Sequence, residues 1–213
     1  MKIVPAIDEP TVEEFEKSFD KVKNFAESIQ IDFDDGSFEN YKTIIPADME
    51  KYVSSSKDKI FFEAHLMVQR PYDYVPKLIE SGVKKIIVQY EIHDNPRDVL
   101  EQLLMDNILA GVAIGPETAV RDIEPLFDLV DTIIIMTIHP GKQGQVFLPE
   151  VLGKVKYLRE NNVQQEIEID GGVDDKTIRL VKEAGADTAV VGHHIVKADD
   201  SREQYEQLIK LIS

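Results

Sequence analysis

Three side chains at the ends of apolar runs are of the right types to do chemistry together. Asp32 and Asp170 each end a run that alternates apolar and polar residues, and His65 lies near the end of a third run. Two carboxylates and an imidazole suit a divalent metal such as Zn²⁺, Mn²⁺ or Fe²⁺. Two carboxylates on opposite walls of a pocket also suit removing a proton from one face of a carbon atom and delivering one to the other face. The residue types alone leave both chemistries open.

Each of these residues also has a structural interpretation. Asp32 could cap a loop, and His65 could be a core histidine bonded to backbone. The period-two alternation of a strand places Gln30 on the same face as Asp32, and Glu63 on the same face as His65. Because all three candidate residues fall at the ends of predicted strands, we favour a functional site over three separate structural roles.

A second cluster of candidates is rich in glycine and follows the last predicted strands. It comprises Gly141, Gly144, Gly171, Gly172 and Gly192. Backbone amides in such loops can hold a phosphate group without many cationic side chains, and Lys142 could add a direct charge. The alternative is that these are ordinary turn glycines. Three such loops after successive strands favour the phosphate site.

The elements that must position these residues alternate regularly along the chain. The predicted strands are 2–7, 28–33, 59–67, 84–89, 108–114, 131–138, 166–170 and 187–191. The predicted helices are 12–27, 47–55, 71–81, 96–106, 117–129, 148–160, 174–184 and 199–211. Eight strand–helix pairs over 213 residues, 213/8 or about 27 each, predict one α/β domain, 1–213, folded as a (β/α)₈ TIM barrel. A doubly wound open sheet is the alternative, but no G-x-G-x-x-G follows the first strand.

The composition narrows the class of partner. The chain has 24 Lys and Arg against 40 Asp and Glu, a formal net charge of −16, which argues against nucleic acid and anionic membranes. It has no cysteine, no apolar run of membrane-spanning length and no signal peptide before the first strand, so we expect a cytoplasmic protein. Because the net charge is strongly negative, any anionic ligand must bind at a local site made of backbone amides, a helix N-terminus or a metal.

Several motifs together resemble the ribulose-phosphate 3-epimerase family, and the similarity runs in order from Ile3 to about Val196. They are the segments 32–38 (DFDDGSF), 65–68 (HLMV), 136–141 (MTIHPG), 144–147 (GQVF) and 169–173 (IDGGV). The family consists of TIM barrels that interconvert ribulose 5-phosphate and xylulose 5-phosphate, commonly with one divalent metal. The resemblance implies a small-molecule sugar-phosphate substrate, and family members are often homo-oligomers.

The resemblance also implies roles for residues. Asp32 and Asp170 would be the two proton-transfer groups, acting through a metal-stabilised enediolate, and would bind the metal together with His65 and Gln30. Met67 and Met136 would pack over the substrate. The remaining substrate and phosphate contacts would come from His139, Gly141, Lys142, Gln143, Gly144, Gly171, Gly172, Gly192 and His193.

The chain departs from the family pattern around the same site. Gln30 stands where the family usually has a histidine ligand, Asp34 adds a negative charge beside Asp32, and His193 replaces a serine. Two interpretations follow. The chain is either a divergent epimerase acting on ribulose 5-phosphate or a related sugar phosphate, or an epimerase-like barrel that has lost this activity and binds or converts a different phosphorylated ligand.

Overall fold

Eight parallel strands, each paired with the next in sequence, close into a barrel when β1 pairs with β8. The computed structural model describes residues 1–38, 40–140 and 144–213. The strands are β1 (Lys2–Ile7), β2 (Ser28–Asp34), β3 (Phe61–Met67), β4 (Lys85–Gln89), β5 (Leu109–Ile114), β6 (Thr132–Met136), β7 (Glu166–Asp170) and β8 (Thr188–Val191). The predicted (β/α)₈ TIM barrel is therefore confirmed.

Helices connect the strands and pack around the barrel. They are α1 (Val12–Val22), α2 (Pro46–Ser56), α3 (Val75–Ser81), α4 (Pro96–Met105), α5 (Val120–Ile123), α6 (Leu152–Glu160), α7 (Ile178–Ala184), α8 (His193–Val196) and α9 (Ser201–Leu211). Short 3-10 segments occupy Pro71–Asp73, Glu124–Leu129 and Pro149–Val151. In the described ranges, none of the helices has both the length and the apolar character needed to cross a membrane.

The local sequence explains several helix ends. The Thr11 side chain accepts a hydrogen bond from the Glu14 amide at 3.2 Å and so caps α1, as the capping-box pattern predicts. Gly82 ends α3 in the left-handed conformation at φ 100°. The helix predicted over 117–129 is wrong in extent: α5 is short and continues as 3-10 helix, because Pro125 has no amide hydrogen to donate.

Two further differences lie near the end of the chain. The helix predicted to begin at about Asp174 begins at Ile178, and Asp174 instead accepts hydrogen bonds from the amides of Lys176 and Thr177. The helix α8, directly after β8, has no counterpart among the predicted elements. It is only one turn long, too short to give a periodic apolar pattern.

The lower part of the barrel interior is polar rather than apolar. The Lys85 ammonium lies 3.1 Å from a Glu63 oxygen, 3.2 Å from Glu166 and 2.5 Å from Glu168. Burial and the charges of Glu63 and Glu166 raise the pKa of Glu168 well above its usual value, although Lys85 opposes this. Burial also acts to raise the pKa of Glu166, but Lys85, Thr188 and Lys2 together lower it to about 2. Lys85 therefore supplies most of the positive charge that stabilises this group of carboxylates, and Lys2 assists it at Glu166.

Replacing Lys85 with methionine should strongly destabilise the fold. Removing one partner of a buried ion network leaves uncompensated buried charge, which costs about 3–5 kcal/mol of the free energy of unfolding. Urea titration of Lys85→Met against the wild-type chain measures the loss. Lys17→Met removes the exposed ion pair with Glu13 and should leave the midpoint nearly unchanged. Equal midpoints for both variants would contradict a structural role for the buried network.

Candidate active site

Three side chains from three strands converge inside the upper end of the barrel. Asp32 and His65 are register partners on β2 and β3, and Asp170 reaches them from the last residue of β7. One ligand atom from each lies within 4.8 Å of the others. Strands β2 and β7 are not neighbours, so only closure of the barrel brings the two carboxylates together. The predicted convergence of these three residues is thus observed.

His65 is fully buried, and its ring faces the two carboxylates. Its Nδ1 lies 3.3 Å from Asp170 Oδ2 and 3.8 Å from Asp32 Oδ1. Neither ring nitrogen makes a hydrogen bond of good geometry within the described part of the chain. A buried polar atom without a hydrogen-bond partner is costly, so a ligand that bound this imidazole would stabilise it.

The amide group of Gln30 links the two carboxylates directly. Its Nε2 donates to Asp32 Oδ1 at 2.7 Å and to Asp170 Oδ2 at 2.8 Å, while Oε1 has no partner among the described residues. The resemblance implies that Gln30 is a metal ligand, which requires its oxygen. The structure instead turns the nitrogen towards Asp32 and Asp170, because two acceptors face it. Ligation by Gln30 remains a prediction.

The surroundings of Asp32 disfavour its ionised form. Burial raises its pKa well above the usual value, and the negative charges of Asp170 and Asp8 raise it further, against the lowering effect of the Gln30 hydrogen bond. Two carboxylates this close repel each other when both are ionised, and a cation or a proton between them would relieve that repulsion. Without a metal the pair is therefore best satisfied by holding a proton.

The donor set fits a divalent cation. Two carboxylates and one imidazole, whose nitrogens make no hydrogen bond with the described residues, offer the oxygen and nitrogen ligands that Zn²⁺, Mn²⁺ and Fe²⁺ accept. A cation there would also relieve the repulsion between Asp32 and Asp170. The group of residues expected to bind a metal is therefore chemically suited to one.

A cavity of about 210 Å³ opens beside these residues at the carboxyl ends of the strands. Asp32 and Asp170 line it, together with an apolar wall formed by Met67, Met136 and Ile138. Phe38 packs against that wall from the loop after β2. In a (β/α)₈ barrel this face carries the active site.

Most of the residues predicted to contact substrate surround this cavity. Its described lining includes Met67, Met136, Gly144, Gly171, Gly172, Gly192 and His193. His139 is not in that lining: its side chain is half exposed, with Nδ1 3.5 Å from Glu117 Oε1. Gly141, Lys142 and Gln143 lie outside the described residues.

Three acidic or basic residues near the site escaped the sequence analysis. Asp8 is buried after β1 and contributes to the raised pKa of Asp32. Asp174 and His194 line the cavity. The position of Asp8 just beyond the end of β1 was a usable signal, because it repeats the pattern of a polar residue at a strand end. His194 directly follows a predicted contact residue.

The glycines after β7 are required by packing. Gly171 has φ +112°, and a side chain there would collide with Ile138 Cγ1. At Gly172, with φ +66°, an added Cβ would lie 2.9 Å from the Phe147 amide nitrogen. These two glycines let the loop after β6 press against the loop after β7. The turn-glycine interpretation is therefore supported, and it is compatible with their place in the cavity lining.

Comparison with known proteins points to one family. Residues 2–196 match the model of the ribulose-phosphate 3 epimerase family. Ribulose-phosphate 3-epimerase of Chlamydia muridarum is 33% identical over 190 residues, covering 84% of this chain and 82% of that protein. The enzyme of Schizosaccharomyces pombe is 30% identical, with 95% and 90% covered. A crystal structure of 3-hexulose-6-phosphate synthase matches with a TM-score of 0.74 at 17% identity, covering 100% of each chain, which shows a shared fold.

Replacing Gln30 with histidine should tighten metal binding. The new imidazole would add a nitrogen donor beside Asp32 and Asp170 and would remove the amide that now links them. Changes in groups next to a metal site alter affinity by about 10–100-fold, and we expect Zn²⁺ affinity to rise within that range. Competition with a chromophoric chelator measures it. Unchanged affinity would place position 30 outside the metal's reach.

Two glycine-to-alanine changes should have opposite effects on stability. Gly171→Ala forces a side chain into Ile138 at a positive φ and should cost about 1–3 kcal/mol or more. Gly153→Ala, in α6, meets no atom within 4 Å and should stabilise by about 0.5–1 kcal/mol. Chemical denaturation measures both. An equally stable Gly171→Ala variant would show that the loop contact is not tight.

Proposed function

The chain belongs to the ribulose-phosphate 3-epimerase family, and we propose that it is a ketose-phosphate 3-epimerase that interconverts ribulose 5-phosphate and xylulose 5-phosphate, or a related sugar phosphate. The observation that carries the proposal is the pair Asp32 and Asp170, held together inside a cavity of the barrel's catalytic face. Epimerisation beside a carbonyl needs two groups that exchange protons on opposite faces of one carbon atom.

The environment of the two carboxylates supports a role in proton transfer. Burial and the charge of Asp170 raise the pKa of Asp32 and favour its protonated form, and the carboxyl group of Asp170 lies beside it as a second group for proton transfer. A pair that holds one proton between two carboxyl groups can remove the proton at C3 on one side and supply one on the other. The roles exchange when the reaction runs in reverse.

Gln30 and the apolar wall position these groups. The two hydrogen bonds from the Gln30 amide fix the Asp32 and Asp170 oxygens relative to each other. Met67 and Met136 form one side of the cavity and would keep water away from a carbon atom that reacts beside them. A dry site strengthens the electrostatic interactions within it.

Asp32, His65 and Asp170 would hold one divalent metal, with Gln30 beside them. When bound, Zn²⁺, Mn²⁺ or Fe²⁺ supplies positive charge that stabilises negative charge developing on the substrate oxygens. His65 is buried and makes no hydrogen bond with the described residues, so such an ion would give its ring a bonding partner.

The substrate's phosphate group would lie at the other side of the cavity, against the loops after β6, β7 and β8. The described members of this set are Gly144, Gly171, Gly172, Gly192 and His193. We keep Gly141, Lys142, Gln143 and His139 as proposed contacts of the same loop. Backbone amides suit an anion in a chain of net charge −16, since they add binding without requiring lysine or arginine.

Changing Asp170 to asparagine should abolish exchange of the substrate's C3 proton with solvent. The amide keeps the shape of the carboxyl group but cannot accept the proton, so the rate should fall by about 10²–10⁴-fold. Proton NMR of ribulose 5-phosphate in D₂O follows the exchange. Asp128→Asn, at an exposed position before β6, is the control and should exchange at the wild-type rate. Full exchange in Asp170→Asn would rule out the two-aspartate mechanism.

A further inference from the structure

Gln89, the last residue of β4, is a fully buried amide with both of its polar ends unsatisfied. Neither its Oε1 nor its Nε2 has a hydrogen-bond partner among the described residues. On the same strand, Lys85 forms ion pairs inside the barrel, and Ile87 packs there against Ala113 and Ile134. The alternation of the strand therefore turns Gln89 inwards as well. A buried amide in this state is costly, so its conservation of polarity at this place calls for a partner.

Gln89 lies at the level of the cavity floor. In a barrel of this kind, the inward side chains of alternate strands form layers of four. The strand register places Gln89 in one layer with Asp32, Met136 and Gly192, and these three residues line the cavity. His65 belongs to the layer directly below, on the strand between those of Asp32 and Gln89. Gln89 is therefore a close neighbour of His65, although the cavity's described lining does not include it.

The second nitrogen of the His65 ring faces the half of the barrel that Gln89 occupies. Nδ1 lies 3.3 Å from Asp170 and 3.8 Å from Asp32, so Nε2, across the ring, is directed away from the two carboxylates. Nε2 is buried and makes no hydrogen bond within the described ranges. Above Lys85 and Thr132, Gln89 is the one polar side chain on the inner faces of β4, β5 and β6. The others there are Ile87, Gly111, Ala113, Ile134 and Met136.

We propose that Gln89 is a positioning residue for His65. Its amide oxygen accepts a hydrogen bond from one buried water, which itself accepts the Nε2–H of the ring. The link is a water because the two side chains form no direct hydrogen bond with each other. Buried waters typically make about two to four hydrogen bonds to polar groups that otherwise have no partner. The inference rests on the proposed function, because His65 is one of the residues that would bind the metal.

The consequence of this contact is a fixed tautomer of His65. A neutral imidazole carries its proton on one nitrogen and offers the lone pair of the other to a metal. In metal-binding histidines the second nitrogen usually donates to a carboxylate, a carbonyl or a water, which fixes the ring. With the proton held on Nε2, the Nδ1 lone pair is left facing Asp32 and Asp170. Without Gln89, the proton can move to Nδ1 and point towards Asp170.

Nitrogen NMR of the metal-free chain, with isotope-labelled histidine rings, reads the tautomer without any turnover. The chain has five histidines, and the signals of His65 are those that disappear in His65→Gln. We expect the Nε2–H tautomer in the wild type. In Gln89→Met, an unbranched apolar side chain of similar length replaces the amide, and the signals should shift towards the Nδ1–H tautomer.

Gln207→Met is the matched control for this experiment. It removes an exposed glutamine on α9, whose amide donates to Glu203, and should leave the signals of His65 unchanged. An Nδ1–H tautomer in the wild type would overturn the proposal. Unchanged His65 signals in Gln89→Met would overturn it as well.

Zn²⁺ affinity and stability distinguish positioning from a merely structural role. Loss of a group that orients a metal-binding histidine lowers metal affinity about 10–100-fold, and we expect a fall in that range for Gln89→Met in competition with a chelator. Gln89→Glu keeps an acceptor oxygen and should restore most of the affinity. Because the amide has no hydrogen bond to the described residues, Gln89→Met should not lower the urea midpoint. Wild-type affinity in Gln89→Met, a lowered midpoint, or no Zn²⁺ binding by the wild-type chain would contradict the positioning role.

These readouts do not depend on epimerase activity. A chain that shows the expected tautomer and Zn²⁺ response, but never exchanges the C3 proton of ribulose 5-phosphate, would keep this inference and lose the proposed function. A chain that exchanges the C3 proton, but has the same His65 signals with and without the Gln89 amide, would keep the proposed function and lose this inference.

Discussion

The close approach of two buried carboxylates, Asp32 and Asp170, is the constraint on which the site depends. Like charges in a low-dielectric interior repel strongly, so the pair must be bridged by a proton, a hydrogen-bond donor or a cation. The Gln30 amide supplies two such hydrogen bonds, and the buried His65 ring completes a donor set suited to a metal. Burial, together with the same repulsion, raises the pKa of Asp32 and makes it a source of protons.

Closure of the barrel provides this geometry. The side chains that point into the barrel lie at successive levels along its axis. Below the site, Lys85 on β4 forms ion pairs inside the barrel with Glu63 on β3 and Glu168 on β7. Above it, Met67 and Met136 form an apolar wall. The barrel thus carries charge compensation at one level, proton-transfer groups at the next and a dry surface above them. Each layer follows from the period-two alternation that sends every second side chain of a strand inwards.

Much of this could be predicted from the sequence, because strands buried on both faces leave a clear apolar signal and their polar ends stand out. The eight strands and the convergence of Asp32, His65 and Asp170 follow from that pattern. The order of residues in the sequence does not show which way an amide side chain is turned, although its oxygen accepts hydrogen bonds and its nitrogen donates them. The Gln30 amide could have offered oxygen to a metal, and only the positions of its two carboxylate neighbours turn its nitrogen inwards. The helix over 117–129 was predicted too long because Pro125 lacks an amide hydrogen. The helix start near Asp174 was misplaced because the Asp174 side chain accepts hydrogen bonds from the following amides and holds them in a turn.

The central claim is that this carboxylate pair moves a proton at C3 of a ketose phosphate. The most direct test is to incubate the wild-type chain with ribulose 5-phosphate in D₂O, with and without Zn²⁺, Mn²⁺ and Fe²⁺, and to follow the sugar by NMR. The account predicts deuterium incorporation confined to C3, together with the appearance of xylulose 5-phosphate. Retention of the C3 proton under every metal condition, with no xylulose 5-phosphate formed, would contradict it. That result would instead favour a barrel that has lost this activity and uses its cavity for a different phosphorylated ligand.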